Sequence, residues 1–209
     1  MQHLPDPPDV QDGMMADRPG QGVSGSIEAY DLRGGPIEPF DVAGVRFVRY
    51  HAALAQSLAD AMHVPVEKVF ERRAMAADAS LALLEDDSIA GYGWVSHDTI
   101  RIYELKLAVP IPRGHAYIWD CATLLPFRGR GIFSGLLRFL LEDLRLQGDV
   151  QAWGAVAPGN EPSLHAFSRA GFRLAGRTGL GVGRFEVTPT AEASPDEVAL
   201  IRSLHAIVE

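Results

Sequence analysis

The sequence predicts an α/β fold in which a mixed central β-sheet is flanked by helices. Three observations carry this. Alternating, β-branched runs dominate residues 42–109, apart from two helical stretches. From residue 116 onward, strand-like and helix-like periods alternate, the order expected of crossover units. Between the apolar runs 116–124 and 150–157 lies one long helical pattern, enough chain to bring the second run back parallel to the first.

The chain has 209 residues, 47% apolar and 22% charged, which suits one α/β domain with a full core. A net charge of −8 argues against a nucleic-acid-binding role, because no broad basic face can form. The single cysteine, Cys121, excludes an internal disulfide and suits a reducing compartment, so a cytoplasmic location is expected. No signal peptide is visible, and no apolar run approaches the roughly 18 residues of a membrane span. No metal is expected, and oligomeric state stays open, a homodimer being one alternative.

Residues 1–24 hold four prolines and four aspartates but few large apolar groups. They read as a disordered or loosely docked tail, because so little burial cannot offset the entropy of ordering. Residues 25–41 read as a loop-rich lead-in, and 25–209 as a single domain. Residues 42–51 alternate as a strand, and 52–63 and 66–77 have helical spacing. Residues 80–87, 89–98 and 101–109 suggest a strand meander, followed by a mostly apolar, central strand at 116–124. Ile132, Leu136, Leu137, Leu140, Leu141 and Leu144 mark a helix of about four turns. A strand follows at 150–157. The segment 160–170 opens with an Asn cap and ends at Gly171, a helix stop. Short strands at 172–177 and 183–189 precede Ser194-Pro195-Asp196-Glu197, a capping box that starts a closing helix over 195–207.

The stretch Leu125-Pro126-Phe127-Arg128-Gly129-Arg130-Gly131-Ile132-Phe133-Ser134 forms the hinge between strand and helix. Free backbone N–H groups at a helix N-terminus favour an anion, and glycine lets a ligand approach the main chain. Arg128 and Arg130 add positive charge. The hinge therefore reads either as a pyrophosphate cradle or as an ordinary surface turn. It matches neither a P-loop nor a dinucleotide fingerprint.

A second stretch lies one strand and one helix downstream: Asn160-x-x-Ser163-x-x-Ala166-Phe167-x-Arg169-x-Gly171-Phe172. Together the two resemble the GNAT superfamily of acyl-CoA-dependent N-acyltransferases. Arg128-Gly129-Arg130-Gly131-Ile132-Phe133 fits its R/Q-x-x-G-x-G/A motif, and 160–172 fits its Asn-led helix ending in Gly-Phe. The resemblance is strong over 116–176, and over 42–115 rests on strand order. It implies a central sheet splayed like a V, with acetyl-CoA or another acyl-CoA as cosubstrate and a small amine or amino sugar as acceptor. The pyrophosphate would meet the amides of 129–134, and the pantetheine arm would pair with the backbone of Cys121, Ala122 and Thr123. Asn160 would hold that arm from the far side.

Two positions depart from the pattern. Phe133 stands where Gly or Ala is usual, and Phe167 where a tyrosine often protonates the leaving thiolate. With that role vacant, or served by water or another residue, two alternatives stay open beside a direct N-acetyltransferase. One is a catalytically silent acyl-CoA-binding module. The other is an enzyme that uses acyl-carrier protein or longer acyl donors.

The candidate proton acceptors are Asp120 and Glu104. A charged residue inside the apolar run Tyr117–Thr123 is costly unless paired or functional, so Asp120 is either a base near the substrate or a structural partner. Glu104 interrupts an alternating strand and faces either the cleft or solvent. Cys121 reads as a small buried side chain, because no activating motif accompanies it. His115 reads as a loop residue, and His97 and Asp98 as a turn. Trp94, Trp119 and Trp153 read as core or cleft lining.

Overall fold

A computed structural model of the protein describes residues 25–102, 107–181 and 184–208. Eight strands form one sheet in the order β10-β9-β1-β8-β7-β4-β3-β2. They are β1 (Gly25–Asp31), β2 (Val45–Arg49), β3 (Ala77–Leu84), β4 (Ile89–Ser96), β7 (His115–Thr123), β8 (Gln151–Val156), β9 (Arg173–Gly181) and β10 (Arg184–Pro189). All neighbours are antiparallel except β7 and β8. That parallel pair is joined by α3 (Ile132–Gln147), the crossover the helical pattern predicts.

One face of the sheet carries α3 and α4 (Glu161–Ala170). The leucine stripe of α3 packs with Ala116 and Ile118 of β7, and with Phe167 and Phe172 at α4. On the other face, α1 (Ala55–Met62) and α2 (Val66–Ala74) cover β3 and β4 around Leu58, Val69, Leu81 and Trp94. The rest of that face is covered by α5 (Pro195–Val208) and a separate hairpin of β5 (Thr99–Ile102) and β6 (Leu107–Pro110), which bury Trp153, Val187 and Ile201. The capping box at α5 forms: Ser194 N–H donates to the Glu197 carboxylate at 2.7 Å, and Glu197 N–H donates to Ser194 Oγ at 3.4 Å.

Two expectations are corrected. The lead-in at 25–41 contains β1, which lies inside the sheet between β8 and β9. Its alternation is carried by Ile27 and Ala29 on one face, too few large residues to stand out. The strand expected at 101–109 is instead parts of β5 and β6, outside the main sheet. The tail at 1–24 lies outside the described residues.

Because β1 and β2 sit far apart in the sheet, residues 32–44 cross over α3 as a strap. Ile37 N–H donates to Glu142 at 3.1 Å, and Arg138 donates to the Glu38 carbonyl at 3.1 Å. The strap ends beside the start of α3, where Phe40 lies against Gly131 and Arg130 donates to the Ala43 carbonyl at 3.2 Å.

Candidate active site

Strands β7 and β8 part partway along their length. Their register runs from His115↔Gln151 to Ile118↔Gly154 and stops, although β7 continues to Thr123 and β8 to Val156. Residues 119–123 thus present one backbone edge without a partner in β8, while their other edge pairs with β4. At about 3.3 Å per residue, this opened edge is roughly 16 Å long.

The open edge leads directly to the hinge. After a short 3₁₀ turn at Leu125–Phe127, Gly129 and Gly131 take left-handed backbone conformations, with φ of 79° and 78°. Gly131 is the N-cap of α3 and supplies no side-chain cap. The Gly131 carbonyl accepts from Gly135 N–H at 3.0 Å, closing the first turn. The amides of Ile132, Phe133 and Ser134 belong to the first turn, whose N–H groups have no intrahelical partner. Ile132 and Ser134 are buried, so their side chains face inward. A Cβ on Gly129 would meet nothing within 4 Å, whereas one on Gly131 would come within 2.9 Å of the Phe40 ring.

The two arginines each commit a donor to main chain: Arg128 Nε to the Thr123 carbonyl at 3.1 Å, and Arg130 to Ala43. Five N–H donors per guanidinium leave others to face an anion. Asn160 caps α4, its Oδ1 accepting from Ser163 N–H at 3.3 Å, which engages the carbonyl oxygen and leaves the NH₂ end.

Asp120 stands at the opened edge for a geometric reason. Tyr92 faces Ala122 and Trp94 faces Trp119, so β7 spends one more residue than β4 between these pairs. That extra residue makes a bulge, and Asp120 has φ of 42° within it. Its carboxylate pairs with Arg72 of α2, and the Arg72 guanidinium lies over Trp119 and Trp94, 4.8 and 5.2 Å from their ring centroids. Trp119 Nε1 donates to Ser96 Oγ at 2.9 Å. Burial pushes the Tyr92 hydroxyl up to about 12, and the nearby Asp120 charge adds to this. The sequence reading missed Arg72 and Tyr92. Arg72 sits in an ordinary helical pattern, and no local signal marks its partner 48 residues away.

Cys121 turns its sulfur toward Gly93 and α3, and burial raises its thiol to about 12, helped by the Asp120 charge. A thiol so shifted is an inert packing group. Glu104 lies outside the described residues. His115 is corrected from loop to strand: it is buried at the start of β7, and its Nδ1 accepts from Trp153 Nε1 at 3.0 Å. Burial lowers its pKa, as a hydrogen-bond acceptor in the core requires. His97 lies just beyond β4 and pairs with Asp149 at 2.9 Å, away from the opened edge.

A sheet parted between parallel strands, leading into a glycine-bearing helix start, is the α/β arrangement that the resemblance to the GNAT superfamily implies. The family model for the acetyltransferase (GNAT) family matches residues 50–172, and the chain belongs to that family. The fold is similar to a GCN5-related N-acetyltransferase from Sphaerobacter thermophilus, with a TM-score of 0.60 and 17% identity over 83% of this chain and 55% of that one. It is also similar to a tandem GNAT protein from the clavulanic acid biosynthesis pathway, with a TM-score of 0.55 and 16% identity over 84% of this chain and 56% of that one. A third is an acetyltransferase of the family from Novosphingobium aromaticivorans, with a TM-score of 0.50 and 16% identity over 77% of this chain and 65% of that one. The chain thus spans only 55–65% of the length of these proteins. A search of curated proteins finds no match.

Proposed function

We propose that residues 25–209 form one acyltransferase domain that moves an acyl group, most simply acetyl, from coenzyme A to the amine of a small acceptor. The observation that carries this is the continuity of the opened edge of β7 with the amide-lined start of α3. Amides 129–134, with Arg128 and Arg130, hold the pyrophosphate. The backbone of Cys121, Ala122 and Thr123 pairs with the amide-bearing arm, and the Asn160 NH₂ meets it from α4. The arm then places its thioester beside the Asp120 bulge.

In the reaction the neutral amine nitrogen attacks the thioester carbonyl, the C–N bond forms, the C–S bond breaks with its electron pair leaving on the coenzyme A sulfur, which solvent protonates, and the amine proton must leave. Asp120 is the carboxylate placed to attract an ammonium group and accept that proton. Arg72 holds it in position, and an arriving cationic acceptor would compete with Arg72 for it. An amino sugar or comparable small amine suits this site, and the wall formed by Trp119 offers an apolar flank.

A silent acyl-CoA-binding module is the second reading. It is favoured by the lack of a hydroxyl at Phe167 and by the engagement of Asp120 with Arg72. Thiol release from acetyl-CoA across a panel of amines, run beside calorimetry with CoA, separates the two. Binding with acceptor-dependent release supports the enzyme, and binding without release on any amine supports the module. Absence of CoA binding would defeat both.

A further inference from the structure

The carboxylate at the opened edge is half of an ion pair, and its partner is a guanidinium fixed in place by two indoles. Arg72 of α2 donates to Asp120. Its guanidinium lies over Trp119 and Trp94, whose ring centroids are 4.8 and 5.2 Å away. Trp119 is held in turn by its hydrogen bond to Ser96. The neighbouring cations of α2 are engaged elsewhere. Arg73 donates to the Ala77 carbonyl and to Asp78, and Lys68 pairs with Glu71. Among the described residues, Arg72 is thus the one cation paired with Asp120. It stands on α2, outside every segment assigned above to the donor.

The pair is open to a ligand. The Arg72 side chain is 21% exposed and that of Asp120 36%, so both charges reach solvent at one small patch. A guanidinium carries five N–H donors, and Asp120 leaves others of Arg72 unused. Tyr92, Trp94 and Trp119 form an apolar wall on this face of the sheet, where charges are poorly screened. An acceptor that carries only an ammonium group would take Asp120 and leave Arg72 against this wall without its carboxylate. Removing one partner from such a pair is costly. An acceptor that brings its own carboxylate replaces both halves. Its amine meets Asp120, and its carboxylate meets a planar fork suited to bidentate contact. The charge balance of the patch is then unchanged, whereas an amino sugar leaves one cation unmatched.

We infer that the acceptor is an amino acid, whose carboxylate is recognised by Arg72 while its amine meets Asp120. This rests on the acyltransferase reading above and narrows its acceptor, ranking amino acids ahead of amino sugars. Arg72 is then a specificity residue as well as the holder of Asp120.

The test is calorimetric binding of acceptors to the full chain saturated with CoA. The probes are the protein amino acids and glucosamine. Each amino acid that binds is compared with the amine that lacks only its carboxylate, such as isoamylamine for leucine or phenethylamine for phenylalanine. Both members of such a pair carry one ammonium group at pH 7, so the carboxylate is the difference. At least one amino acid should bind about tenfold or more tightly than its matched amine and than glucosamine, the scale of a hydrogen-bonded charge pair. Arg72→Gln keeps a donor for Asp120 and loses the charge, so it should abolish that preference while CoA affinity holds. A role confined to holding Asp120 would weaken amino acid and amine alike and leave their ratio as it was. Arg72→Lys keeps the charge and loses the fork. It should retain only part of the preference, and it carries the test if melting curves show that Arg72→Gln does not fold. If no amino acid binds the CoA-loaded chain, if the matched amines bind as tightly, or if the folded variant leaves the ratio unchanged, carboxylate recognition is refuted and the acyl-CoA reading stands. If CoA does not bind the wild type, that reading fails and the acceptor assignment falls with it.

Discussion

Replacing Gly129 tests the pyrophosphate cradle with the least collateral damage. Gly129 and Gly131 share nearly the same left-handed φ, so an alanine at either meets the same backbone penalty of about 1–2 kcal/mol. For a domain of this size that is a fall of roughly 2–8 °C in Tm. Their surroundings differ. A Cβ at 131 would press on Phe40 at 2.9 Å and disturb the end of the strap, while one at 129 points into open space. A valine at 131 would add β-branching to a strained φ and confuse misfolding with occlusion. Gly129→Asn is the cleaner partner to Gly129→Ala, because asparagine tolerates the left-handed region while still placing a side chain where the anion would approach. The expected outcome is at least a tenfold loss of CoA affinity by calorimetry in both variants, with Tm falling less for Asn than for Ala. Unchanged affinity in both would remove residue 129 from the ligand's path and leave the hinge an ordinary turn.

Three other perturbations follow. Deleting residues 1–20 should leave Tm within a few degrees, whereas deleting through Asp31 should abolish folding, because β1 alone links β8 to β9; a truncation to residue 20 that melts more than about 8 °C lower would show that the tail is structural. His115 should give the fold an acid-sensitive component. Burial holds its pKa below the ordinary 6.5, so the unfolded chain takes up the proton first and stability falls as pH drops below 6.5. His115→Gln should flatten the dependence of Tm on pH between 7 and 5, and an unchanged slope would refute the assignment. Asp120→Asn should lower kcat by about 10²–10⁴ with CoA affinity retained and the acidic limb of the pH–rate profile lost; Glu104→Gln, measured alongside, identifies the base instead if it alone shows these changes.

What the sequence made legible was mostly local. The crossover from β7 through α3 to β8 announces itself in one leucine stripe between two apolar runs, and the caps at Asn160 and Ser194 lie within three residues of what they cap. Strand β1 escaped because its membership in the sheet is decided by two distant strands. Ser26 pairs with Val156 on one side and with Arg177 on the other. Glu28 and Ser26 are buried in β1 even though their side chains are polar, so hydropathy misreads the segment as surface. The hairpin of β5 and β6 escaped for the opposite reason: its apolar residues serve the cluster around Trp153 rather than the main sheet.

The site divides along the same line. Its backbone parts, the glycines and the uncapped helix start, are written contiguously at 128–134. Its side-chain parts are partnerships across the fold. Arg72 meets Asp120 across 48 positions, and Phe40 reaches Gly131 only because the strap crosses α3. Phe133 and Phe167 looked like two unrelated departures from a motif, and their contact turns them into one feature. The larger residue at 133 needs a flat partner at 167 and a bare main chain at 154 beneath it. A tyrosine at 167 would have to place a polar hydroxyl in this apolar cluster, where an unpaired hydroxyl is costly. The loss of the hydroxyl and the gain of the ring at 133 are therefore physically coupled. A Phe167→Tyr change alone should destabilise the chain unless its hydroxyl finds the arm of a bound donor.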